Sequence, residues 1–198
     1  RDIDVIEDKL LIQKQQVIQK KKELENIEKK INNRLGQIAD AKSSELDKIR
    51  EFICPPSRLI RFRGSLKLRN QDEIEASVSM LSEREDEPVV FLGKVGFGIS
   101  EENLLRGDYD KYDYIFLVIE DEDKYSGKIE TIPESSCVSV RFRGSHGEAA
   151  LQYKKLSEYM KNKGLKIAGS SREITMIDYG LTNDTEKFVT EITIPVKK

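Results

Sequence analysis

The chain has no tryptophan, one histidine and two cysteines among its 198 residues. With His146 alone, a multi-histidine metal site and paired-imidazole chemistry are excluded. Cys54 and Cys137 are too few and too far apart in sequence for a metal cluster or a disulfide framework, so reduced thiols in the cytoplasm are expected. No run of about 18 apolar residues occurs, which leaves no candidate transmembrane helix, and no signal peptide is expected. Charge of one sign is also lacking: 34 basic and 36 acidic residues give a formal net charge of −2. Mixed signs make a poor electrostatic footprint for nucleic acid, so this chain alone is not expected to hold DNA. It begins at Arg1, and a piece of a longer protein is expected.

What is present in excess is charge, at 35% of residues against a usual ~25%. That excess implies a long solvated helix. Residues 1–52 lack proline and hold one glycine, Gly36. Ile3, Leu10, Val17, Leu24, Ile31 and Ile38 recur every seventh position, while the companion row is mixed: Ile6, Gln13, Lys20, Ile27, Arg34 and Ala41. This is a coiled-coil pattern whose polar sites discriminate register and partner number. Lys20–Lys22 and Lys29–Lys30 read as a solvated face, because Glu23, Glu25 and Glu28 sit among them. Leu46, Ile49 and Ile53 read as a phase shift within the same helix, which Pro55 and Pro56 then end. A helix of about 45 residues would run about 70 Å and cannot bury its own stripe, so a homodimer through it is expected.

Beyond Ser57 the pattern changes to short strands, and one pentapeptide occurs twice. Arg61-Phe62-Arg63-Gly64-Ser65 returns as Arg141-Phe142-Arg143-Gly144-Ser145, each copy after a proline-and-serine stretch and in the same inward–outward register. Ile74, Val78 and Leu81 mark a helix after the first copy; Ala149, Tyr153, Leu156 and Met160 mark one after the second, closed by Gly164. Strands are expected at 89–97 and 112–119 in the first half, and at 172–179 and 188–196 in the second. Glycines 93, 96 and 98 point to bulges or close backbone approach, not to a phosphate loop, because no helix start follows at the needed spacing. The fold class read from this is α+β: a coiled-coil helix over 1–53, then a duplicated strand-helix-strand-strand domain with an antiparallel sheet over 57–198, its halves about 57–121 and 127–198.

Lys128–Cys137, the Arg141–Ser145 copy and the terminal Thr190-Glu191-Ile192-Thr193-Ile194-Pro195-Val196 together resemble the GyrI-like effector-binding domain. The helix before them resembles the dimerisation helix of MerR-family transcription regulators of the multidrug-sensing type, without their winged helix-turn-helix. The resemblance implies a cavity that senses lipophilic, often cationic compounds, with promoter DNA and RNA polymerase as partners of a full-length regulator. It implies no cofactor and no metal. Glu173 starts a strand row with Thr175, Ile177 and Tyr179, and a glutamate at the corresponding strand start meets the cation in related regulators. No permanent partner is expected for it, since Arg172 points to the other side of the strand. Phe188 falls where such pockets carry an aromatic wall, and Tyr114, Phe91, Phe142 and Tyr153 are further wall candidates. An enzyme is not expected. The alternatives are a hydrolase using Glu173 and Glu191, as some GyrI-like proteins are hydrolases, and a stand-alone binding or inhibitor module. His146, beside Ser145 in an expected turn, reads as poorly placed to be oriented by a buried acid.

Overall fold

The computed structural model describes residues 2–66, 95–121, 123, 125, 127–177 and 182–198. The expected helix around Ile74, Val78 and Leu81, the apolar run 89–92 with Phe91, and Tyr179 lie outside the described residues. Arg1–Gly36 and Gln37–Lys198 form two compact units.

Helix α1 covers Asp2–Ser43, with Asp2 and Asp4 in its first turn and Lys42 in its last, matching the signs that the helix dipole favours. Ile3, Leu10, Val17, Leu24 and Ile31 are all exposed. The helix stops about ten residues before Pro55, so the expected phase shift is instead a helix end. Ser43 and Ser44 hydroxyls donate back to the Asp40 and Ala41 carbonyls, which occupies acceptors left open in the last turn. Asp47 then takes a left-handed φ of 59°, and Ile49–Cys54 is strand β1. Ile49 and Ile53 misled because a spacing of four satisfies both the helix period and the parity of a strand.

The remaining strands are β2 (Ser57–Leu66), β3 (Val95–Gly98), β4 (Tyr112–Ile119), β5 (Glu130–Ile132), β6 (Ser135–Arg143), β7 (Lys166–Ile167), β8 (Arg172–Ile177) and β9 (Val189–Lys197). Helix α2 (Glu101–Arg106) follows β3, and α3 (Ala149–Lys163) follows β6. Among the described residues nine strands pair antiparallel, in the order β1-β6-β9-β8-β3-β4-β2-β5, with β7 beside β9. The duplication is visible in that order. Among the described residues, and with the two-residue β7 set aside, each half places its first strand, then its third, then its second, and the halves meet where β8 and β3 pair. The arms are exchanged: β1 precedes β2 but pairs with β6, while β5 precedes β6 but pairs with β2. Pro55-Pro56 and Pro133 sit at the two bends where an arm gives way to a first strand.

Helix α2 was not foreseen, although Ser100 caps its start by accepting from Asn103 N–H and Gly107 closes it in the left-handed region. Helix α3 buries Ala149, Tyr153, Leu156 and Met160 as its spacing predicts, and Gly164 ends it with φ 67°. That face joins Val138, Val140, Phe142, Ile192 and Ile194 in one core cluster. Phe62 packs against the same cluster, so both pentapeptide copies turn their phenylalanine to the core. On the opposite side of β6, Arg141 donates to the Asp40 and Glu191 carboxylates, while the Asp47 N–H donates to the Arg141 carbonyl. Among the described residues no helix is long and apolar enough to cross a membrane.

Candidate functional site

Glu173 lies at the seam of the two halves. Its strand β8 pairs it with Phe97 of β3 on one side and Ile192 of β9 on the other, and its exposure is 0%. The approach of β3 is possible because Gly96 has no side chain: a Cβ there would come 2.3 Å from the Phe116 ring and 2.7 Å from the Glu173 carbonyl oxygen. Strand parity points Glu173 and Thr175 to the helix-covered face, while Arg172 turns the other way to Ser57 and Cys54.

The carboxylate is not alone there. Tyr112 Oη donates to Glu173 Oε1 at 2.7 Å, and His146 Nδ1 lies 2.5 Å from the same oxygen. Oε2 has no hydrogen-bond partner. The expectation of no permanent partner is therefore corrected. The expectation that His146 is poorly placed to be oriented by a buried acid is corrected with it. The turn after Gly144 is a short 3-10 helix, His146–Glu148, held by Glu148 accepting from the Ser145 N–H, and it turns the imidazole inward instead of into solvent. Only 8% of His146 is exposed, and its ring packs edge-on to Phe97 at 4.5 Å. Its Nε2 is 3.3 Å from Thr175 Oγ1, which meets Thr190 Oγ1 at 3.0 Å.

Two phenols border the acid, Tyr112 and Tyr153. Burial pushes Tyr112 well above the ordinary phenol range, and the Glu173 charge pushes the same way. Tyr153, fully buried on α3, is raised by the same two causes in the same order. Both stay protonated across the physiological range. Tyr153 shares a hydrogen bond with Ser171 Oγ at 2.9 Å and stacks on Tyr109 with ring centres 5.6 Å apart.

Of the residues expected at the site, Glu173 and Tyr153 come together, with Phe142 in the same core cluster as Tyr153. Ile177, half-buried, is further along β8 opposite Val189. Phe188 lines an open cavity of about 710 Å³ with Arg143, Gly144, Ser145, Glu148, Thr185 and Glu186. Tyr114 belongs to a different cluster, with Leu59 and Phe116, and carries the Arg61 guanidinium over its ring at 4.2 Å. Phe91 and Tyr179 lie outside the described residues. The pairing of Glu173 with Glu191 is overturned, because adjacent register places Glu191 on the opposite face, bonded to Arg50 and Arg141. Sequence reasoning missed Tyr112, Phe97 and the inward His146. The one available signal was that the sole histidine directly follows the second pentapeptide copy.

Residues 53–197 match the model of the GyrI-like small molecule binding domain. The chain belongs to that family. Comparison with curated proteins finds no match. Among solved structures, the crystal structure of the EcmrR C-terminal domain shares the GyrI-like fold at 15% identity and a TM-score of 0.57, covering 76% of this chain and 98% of that one. EcmrR in its cryo-EM complex with DNA gives 19% identity and a TM-score of 0.56 over 92% of this chain and 69% of that one. An uncharacterized conserved protein from Listeria innocua gives 16% and 0.51, over 78% and 94%. At such identities the likeness speaks for the fold alone. Family membership makes the domain a small-molecule binder, and the Glu173 cluster is the candidate place for the ligand.

Proposed function

We propose that this chain is the ligand-sensing and dimerising part of a MerR-type transcription regulator, and that Glu173 receives a lipophilic cation. The observation that carries the reading is a carboxylate of 0% exposure with Oε2 unpartnered, set among Tyr112, Tyr153 and Phe97. A buried polar atom without a partner costs free energy, and a ligand that supplies positive charge removes that cost. Aromatic walls add cation–π attraction and judge shape loosely, because apolar contact scales with area and has no direction. Promoter DNA and RNA polymerase would be met through a winged helix-turn-helix, which is not among the described residues. EcmrR, solved on DNA, supports that placement by likeness of fold. A stand-alone inhibitor needs no 42-residue helix with an exposed apolar row.

The role is binding and not catalysis. Glu173, His146 and Thr175 do align acid, imidazole and hydroxyl, but the Thr175 hydroxyl is bonded to Thr190 and is 8% exposed as a residue. The test is a titration of crystal violet, a permanent cation, beside its neutral leuco base, against wild type and Glu173→Gln. The variant should lose at least ~1.4 kcal/mol, or tenfold, for the cation and little for the neutral form. Equal losses for both, or none, would return Glu173 to a structural role.

A further inference from the structure

The hydrogen bonds around His146 fix how many protons the site holds. Thr190 Oγ1 donates to the Gly144 carbonyl at 2.7 Å, the only direction open to a carbonyl. Its single proton being used, Thr190 accepts from Thr175. Thr175 has then spent its own proton and accepts from His146, so Nε2 carries a hydrogen. One more proton lies between Nδ1 and Glu173 Oε1. Placed on nitrogen it makes an imidazolium and a carboxylate; placed on oxygen it makes an imidazole and a carboxylic acid. Both descriptions have a net charge of zero.

The groups that face this pair do not alter that sum. Tyr112 of β4 donates its phenol proton to Oε1, and Tyr153 of α3 stays a neutral phenol. β3 contributes Phe97, and β9 contributes Thr190. In the turn itself, the Glu148 carboxylate is taken by the Ser145 N–H and hydroxyl, and Arg143 donates outward to the Glu186 carbonyl.

We propose that His146 sets the charge specificity of the Glu173 site: the His146–Glu173 pair holds one proton in place of a ligand, and a permanent cation enters by displacing it. This rests on the reading of Glu173 as the cation site. The exchange balances. The cation takes the carboxylate as counter-ion, His146 keeps its Nε2 hydrogen on Thr175, and the shared proton passes to solvent. A neutral ligand leaves the proton in place. A cation's affinity therefore rises with pH by up to about tenfold per unit while the pair is protonated, whereas a neutral ligand's stays flat.

The experiment is calorimetry of the full chain with crystal violet and with its leuco base, in two buffers of different ionisation enthalpy and at several pH values around neutrality. The expected result is one proton released per crystal violet bound, none per leuco base, and none for crystal violet with Glu173→Gln, where no acid is left to share a proton. Crystal violet binding at Glu173 with no proton released, or with an affinity flat in pH, would overturn the proposal and leave the cation reading standing. Release that persists in Glu173→Gln would also overturn it, by placing the proton elsewhere. If Glu173→Gln weakened both ligands equally, the cation reading itself would fall, and the exchange with it.

Discussion

Cys54, at the end of β1, accepts from Arg172 Nη2 at 2.9 Å, and Arg172 is the residue before Glu173. A hydrogen bond from Cys137 is the largest influence on its acidity; burial opposes it, the Arg172 guanidinium reinforces it, and Cys54 is brought down to about 6. Cys137 is pushed up by the same hydrogen bond and by burial. The thiolate is the nucleophile, so Cys54 should take iodoacetamide first, at a rate nearly flat from about pH 7 to about 8.5. An ordinary thiol would speed up by roughly tenfold or more over that range. Arg172→Gln should restore part of the ordinary slope, and wild type following the ordinary curve would defeat the expectation. The inward position of Glu173 was legible by itself, since a charged residue opening a mostly apolar strand row stands out by parity. Its neighbours were not. Tyr112 and His146 lie 61 and 27 positions away, and only the register of several strands brings them to one oxygen.

At the scale of elements, the repeated pentapeptide carried most of what could be read. It placed β2 and β6 in register, with Phe62 and Phe142 inward, and the spacing of α3 named its buried face. Exchange of the arms β1 and β5 was beyond reach, because no local pattern says which half a short strand joins. The extent of α1 was misread for the related reason that Ile49 and Ile53 fit either period. Arg141 ties Asp40 to the sheet: 8% of the Arg141 side chain is exposed, Nη2 is 2.6 Å from Asp40 Oδ2, and Nε donates to Glu191. The Arg141 hydrogen bond is also the largest influence holding the Asp40 carboxyl below its usual range. A lowered acid contributes stability above its unfolded value and loses it as pH falls through the folded one. Arg141→Ala should therefore cost about 1–3 kcal/mol at neutral pH, below the usual toll for a buried pair because Glu191 keeps Arg50 and Asp40 is mostly exposed. Urea unfolding near neutrality and again near pH 3 checks both parts: the gap between variant and wild type should shrink in acid. A gap that widened would put the sign wrong.

For the whole molecule the open question of physics is what covers α1. Ile3, Leu10, Val17, Leu24 and Ile31 are each more than half exposed on one heptad row, at 78, 59, 64, 66 and 55%. Side chains of this kind contribute about 1.5–3 kcal/mol when fully buried. Association costs roughly 4–15 kcal/mol in lost freedom, so only the row acting together offsets it. Half of the companion row is polar, which limits how many helices can share the seam and fixes how they slide past one another. Two copies of this chain satisfy both conditions. The expectation is a homodimer by sedimentation at tens of micromolar. A single charge in mid-row should split it, because a carboxylate buried in the seam costs more than the remaining contacts spare. Leu24→Glu should therefore sediment as a monomer, while its crystal violet affinity stays within about twofold of wild type, since the proposed site around Glu173 is built from residues beyond 96. Wild type sedimenting as a monomer with its helix intact by circular dichroism would sink the dimer. Loss of dye binding in the Leu24→Glu monomer would instead show that binding depends on the second copy.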